Sequence, residues 1–148
     1  MKWFTPFRAA SALLAIFCVM HTLGRMLAQK RLVAASDAVF ASMKQVHFVF
    51  NGADTTWYGF WFGFGLTVSA YLALSAVMAW KLGAVSPESW SQVSSIAWAL
   101  IASHLFNTVL SWKYFFAAPG VFGVLISALL VVGTMQKRRQ ALSVVARG

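Results

Sequence analysis

The chain has 148 residues, of which 60% are hydrophobic and only 10% charged; soluble domains carry about a quarter charged residues, so an ordinary water-soluble globule is excluded. The net charge of +9, from 12 basic and three acidic residues, flanks apolar runs and gathers at Lys137-Arg138-Arg139, where it suits anionic lipid headgroups and not nucleic acid. A single cysteine leaves no internal disulfide and no zinc knuckle.

In chain order, the first apolar run opens at Thr5-Pro6, a cap residue followed by a first-turn proline. It is long enough for a membrane span over 6–28. It lacks a small-x-small cleavage site, and the bulky Phe17 precedes Cys18. With three more apolar runs behind it, a retained anchor is expected instead of a secretory signal. Between Lys30 and Thr56, Phe40, Met43, His47 and Phe50 fall at helical spacing, with Asp37 and Lys44 on another face. That spacing predicts an amphipathic helix over 36–50, lying on the membrane surface or capping the bundle and stopped by Asn51-Gly52.

A second span is expected over 57–82, 26 residues or roughly 39 Å of helix, enough to tilt or project. Ser86-Pro87-Glu88 supplies a cap, a first-position proline and a first-turn acid, which predicts a third span over 87–112. Pro119-Gly120 marks the start of the fourth, over 115–136 and ahead of the basic tail. The expected fold is therefore all-α: one integral membrane domain over 1–148, a four-transmembrane-helix bundle with an interfacial helix between spans one and two. Short second and third connections make spans two, three and four antiparallel neighbours.

Both termini are assigned to the cytoplasm by counting basic residues. That side then holds Lys2, Arg8, Lys81, Lys137, Arg138, Arg139 and Arg147; the other holds Arg25, Lys30, Arg31, Lys44 and Lys113, seven against five. A bacterial inner membrane is the expected location.

Two local patterns bear on function. In Trp57-YGFWFGFGLTVSAY-Leu72, Gly59, Gly63 and Thr67 recur every four residues among Phe60, Trp61, Phe62 and Phe64. Small residues at that spacing allow close helix packing in lipid; the same glycines beside large rings would also leave slots for a flat apolar ligand. The other pattern is polar. Cys18, His21 and Arg25 line one sector of span one, and His104, Asn107, Thr108 and Ser111 line one face of span three. Polar groups at membrane depth are costly and tend to face a bundle interior or a wet cavity. Antiparallel packing would bring His21, Arg25, His104, Asn107 and Thr108 to one depth, with His47, Asp54, Trp57 and Trp61 arriving at the same end.

The run Met43-Lys44-x-x-His47-Phe48-x-x-x-Gly52, followed by Trp57-x-x-Phe60-x-x-Gly63-Phe64-Gly65-Leu66, resembles small bacterial four-span membrane proteins of no assigned activity. His21 fits the same pattern. The resemblance covers the first 85 residues or so and implies a four-helix integral membrane protein, with no activity attached to it.

The function expected from these residues is a non-enzymatic multi-pass protein. It would bind membrane lipid, a lipid-like or aromatic small molecule, or a partner helix (including a second copy) in a pocket of His21, Arg25, His47, Asp54, Trp57, Trp61, His104, Asn107 and Thr108. The alternative is a redox protein holding haem b or a divalent metal on His21 and His104. Catalysis has less behind it. A Cys18–His21 nucleophile and base are near in sequence, but a thiol in apolar surroundings holds its proton.

Overall fold

The computed structural model describes residues 5–24 and 35–147. In chain order these form α1 (Pro6–Thr22), α2 (Ala35–Gln45), β1 (His47–Phe50), β2 (Ala53–Thr56), α3 (Trp57–Ala84), α4 (Trp90–Tyr114) and α5 (Ala117–Val145). Among the described residues three helices, α3, α4 and α5, are long and apolar enough to cross a membrane. Their burial argues for lipid. No more than 39% of the most apolar stretch of any of them is buried within the chain. Apolar surface on that scale is not left to water in a soluble protein. This is a membrane protein, and a mostly helical one.

The elements depart from the sequence reading in several places. The α-helical part of α1 ends at Thr22, and residues 25–28 of the expected first span lie outside the described residues. Helix α4 starts at Trp90 and not at Pro87. Ser86, Pro87 and Glu88 lie in the turn before it, and the capping residue Ser89 makes no side-chain cap bond. Helix α5 runs on to Val145, so Lys137, Arg138 and Arg139 are helical residues. Pro119 is its third residue, where the missing N–H would have had no partner in the helix.

The chain separates into two units, Met1–Phe17 with Leu72–Gly148, and Cys18–Tyr71. In the first unit α4 and α5 pack most closely. Only Phe115 and Phe116 join them, both extended at the caps, so the two helices return antiparallel. Small residues let the backbones approach: a Cβ on Gly120 would come within 2.6 Å of the Trp112 ring, and one on Gly123 would overlap the Thr108 hydroxyl. The buried set of α5, Gly120, Gly123, Ile126, Ser127, Leu130, Gly133 and Thr134, follows the three-four spacing of one helical face. Phe7, Ala10, Ser11 and Leu14 are the buried face of α1 in this unit. Ser11 Oγ donates to the Ala76 carbonyl of α3 at 2.8 Å. Phe17 stacks on Phe122 of α5 with centroids 4.9 Å apart, and Phe7 meets Trp90 of α4 at 5.8 Å.

In the second unit the expected helix over 36–50 is two things. Helix α2 stops at Gln45, and His47–Phe50 pairs antiparallel with Ala53–Thr56, His47 opposite Thr56 and Phe50 opposite Ala53. Asn51-Gly52 is the hairpin turn and not a helix stop. Its two residues have φ of 50° and 83°, the doubly left-handed geometry that suits a two-residue hairpin and that Asn-Gly adopts most readily. Among the described residues the fold is therefore mostly helical with one short hairpin, and Phe40, Met43, His47 and Phe50 do not share a helical face.

Candidate functional site

The hairpin is two-faced because side chains alternate along a strand. The register puts His47, Val49, Asp54 and Thr56 on one face and Phe48, Phe50, Ala53 and Thr55 on the other. On the polar face His47 Nδ1 lies 3.2 Å from each oxygen of the Asp54 carboxylate. The two are diagonal neighbours across the strands, within reach of side chains of this length. Both are exposed, 61% and 65%, so water screens the pair and its contribution is below about 1 kcal/mol.

The aromatic face is more substantial. Phe48 stacks on Trp57 at 4.5 Å and meets Phe60 edge-on at 5.8 Å; Phe50 reaches Phe60 at 6.0 Å. Phe60 continues to Phe64 at 4.8 Å, one helical turn along α3. On the other side of the same helix, Phe40 of α2 meets Trp61 edge-on at 5.7 Å, and Lys44 Nζ sits 4.9 Å above the Tyr58 ring. The first two turns of α3 thus carry aromatic rings that receive the hairpin on one side and α2 on the other. Much of this surface stays open: Phe50, Trp57 and Phe64 are each more than half exposed.

His21 also belongs to the second unit. Its Nδ1 lies 3.1 Å from Ser69 Oγ of α3, and Thr22 Oγ1 approaches the same hydroxyl at 2.9 Å. Cys18 Sγ donates to the Ser69 carbonyl at 3.3 Å. The thiol proton therefore goes to a backbone oxygen and not to the imidazole, which is not the geometry of a nucleophile and its base. Ser69 is the partner that sequence reasoning missed. One turn from Gly65 and 8% exposed, it lies on the face of α3 that also carries Leu72, Ala76 and Ala79, all buried.

His104, Asn107 and Thr108 lie in the first unit and divide between two sides of α4. His104 and Thr108 are buried in the face that carries Ala97, Leu100 and Ile101, whereas Asn107 is exposed. Several of the hydroxyl and amide groups turn back on their own helix. Thr108 Oγ1 donates to the His104 carbonyl at 2.7 Å, Asn107 Nδ2 to the Ser103 carbonyl at 2.9 Å, and Ser111 Oγ to the Asn107 carbonyl at 2.8 Å. Such local bonds satisfy polar side chains in an apolar medium without calling on another helix.

Of the nine residues read from the sequence as a pocket, the structure brings together His47 with Asp54, and it seats Trp57 against the hairpin and Trp61 against α2, on two sides of α3. His21 takes Ser69 as its neighbour, Thr108 takes the His104 carbonyl, and Arg25 lies outside the described residues. The stripe Gly59, Gly63 and Thr67 is exposed, and a Cβ on Gly63 would meet nothing within 4 Å. Among the described residues it is not a packing seam. No group of three or more His, Cys, Asp or Glu side chains is placed to hold a metal ion among the described residues. Compared with protein-family models, with curated proteins and with solved structures, the chain finds no match.

Proposed function

We propose that this is a non-enzymatic, multi-pass inner-membrane protein that binds a lipid-like or aromatic amphiphile at the boundary between headgroups and acyl chains. In this reading α1 is a fourth span, both termini are cytoplasmic, and the hairpin with the start of α3 lies in the opposite interface. The observation that carries the proposal is the open aromatic surface of Phe48, Phe50, Trp57, Phe60 and Phe64, backed by a hairpin whose other face is polar. Amphipathic aromatic surfaces are favoured at that depth, where one side is apolar and the other wet. Flat rings at an open surface offer an acyl chain or an aromatic ligand a large contact area with little side-chain entropy to lose. Asp54, His47 and Lys44 would meet the polar end of such a molecule.

The experiment is mass spectrometry of lipids extracted from protein purified in a mild detergent, wild type beside the double substitution Trp57→Ala with Phe60→Ala. A stoichiometric amphiphile retained by the wild type and lost from the variant is the expected result. Equal retention by both proteins, or a Soret absorption band that disappears with His21→Ala, would overturn the reading, the second in favour of haem.

A further inference from the structure

We propose a second site, in the first unit: the cavity between the start of α1 and the second half of α5 seats the phosphate of an anionic lipid headgroup. The cavity has a volume of about 200 Å³ and is lined by Thr5, Phe7, Gly133, Gln136, Lys137 and Gln140. That is several times the roughly 30 Å³ of a water molecule, enough for a phosphate and part of its ester. At its inner wall Gly133 lets the Phe7 ring pack against α5, since a Cβ there would come within 2.8 Å of that ring. Phe7, only 1% exposed, belongs to the packed interior.

The polar lining is rich in donors. Lys137 Nζ donates to the Val85 carbonyl, which holds the ammonium in place and leaves its two other protons for a ligand. The carboxamides of Gln136 and Gln140 lie one residue before and three after it. The opening turn of α1 is at the same place. Thr5, Pro6 and Phe7 are part of the lining, which places the positive end of a 17-residue helix at the cavity wall, with the Arg8 and Ala9 N–H groups already held by Thr5 Oγ1 and the Thr5 carbonyl at 3.3 and 3.0 Å. Arg138 and Arg139 follow directly, exposed, and Arg8 lies 4.8 Å over the Trp80 ring. Glu88 is the one acid in this unit.

The case for a lipid over a free anion comes from the surroundings. Val132 and Met135, beside the cavity on α5, are 47% and 41% exposed and would meet an acyl chain, while Trp80, 49% exposed, is a ring of the kind expected at a headgroup boundary. Basic pockets between helix ends, at the foot of lipid-facing surfaces, suit anionic headgroups.

The test is calorimetric titration of the full chain in detergent with dioctanoyl phosphatidylglycerol, dioctanoyl phosphatidylcholine and inorganic phosphate. The glycerol lipid should saturate a site and bind about tenfold more tightly than the choline lipid. Lys137→Met should weaken it about fivefold. Lys113→Met, at the far end of α4, should leave it unchanged. Gln140→Leu, an exposed position that does not threaten folding, should weaken binding with no shift in thermal unfolding, and it decides the matter if Lys137→Met does not fold. Equal binding of the two lipids, equal losses in Lys113→Met and Lys137→Met, an unaffected Gln140→Leu, or inorganic phosphate competing on equal terms would each overturn the proposal.

Discussion

The seam between α4 and α5 and the opening turns of α3 both combine small residues with aromatic rings, and the chain uses them in opposite ways. At the seam the glycines are filled. Trp112 lies over Gly120 and Thr108 over Gly123, so the side chain of one helix occupies the space the other leaves. At the start of α3 the exposed Gly63 stays open, and the rings around it reach sideways to the hairpin and to α2. Dispersion and close approach, not water exclusion, hold helices together in lipid. A small residue therefore stabilises only where a partner enters its hollow, and its presence in a sequence does not say whether one does.

Filling one hollow of each kind should have very different effects. Gly123→Leu should cost about 3 kcal/mol or more, because the Thr108 side chain and backbone stand where the new atoms must go. Gly63→Leu should change stability by less than about 0.5 kcal/mol, as an exposed substitution does. Unfolding by dodecyl sulfate in mixed micelles, followed by circular dichroism, measures both. Similar losses at the two positions would erase the distinction.

A smaller effect is expected at the hairpin. Gly52→Val places a β-branched side chain at φ 83°, a cost of about 1–2 kcal/mol. It should appear as a loss of the near-ultraviolet signal of the stacked Phe48 and Trp57 with the far-ultraviolet helix signal preserved. The smallest effect has the opposite sign. The Thr134 hydroxyl is buried without a hydrogen-bond partner among the described residues. Thr134→Val keeps its shape and removes the unmet oxygen, so it should be neutral or stabilising by about 1 kcal/mol in the same unfolding assay.

These contrasts explain what could be read in the sequence. Apolar runs longer than a bilayer is thick located α3, α4 and α5, because length and composition alone decide whether a helix can span. Which face of a span meets protein was much harder to see. In water the polar face marks the outside, but in lipid both faces are apolar and the periodicity that orients a soluble helix fades. The evenly spaced Gly59, Gly63 and Thr67 therefore stood out while lying exposed, whereas Gly123, Ser127 and Thr134 drew no notice and Gly120 was read only as a helix entry. Ser69 and Ser75, the polar residues buried on α3, were the better markers of its inner face. The hairpin was missed for another reason. Met43, His47 and Phe50 coincide with helical spacing, which hid the period-two run His47-Phe48-Val49-Phe50 in front of an Asn-Gly turn. Of the candidate site, the residue types were legible, but the pairings were not: His47 with Asp54 and His21 with Ser69 depend on register and helix rotation.

An amphiphile site at the headgroup boundary stands or falls with the depth of the two hairpin faces in a bilayer. Nitroxide labels would be placed at Val49 or Phe50 by cysteine substitution in a Cys18→Ser background, in vesicles, and their exposure to oxygen compared with that to a water-soluble nickel chelate. The Phe50 label should favour oxygen and the Val49 label the chelate, as a hairpin lying flat at the headgroup boundary requires. Equal and full exposure of both labels to the chelate would contradict it.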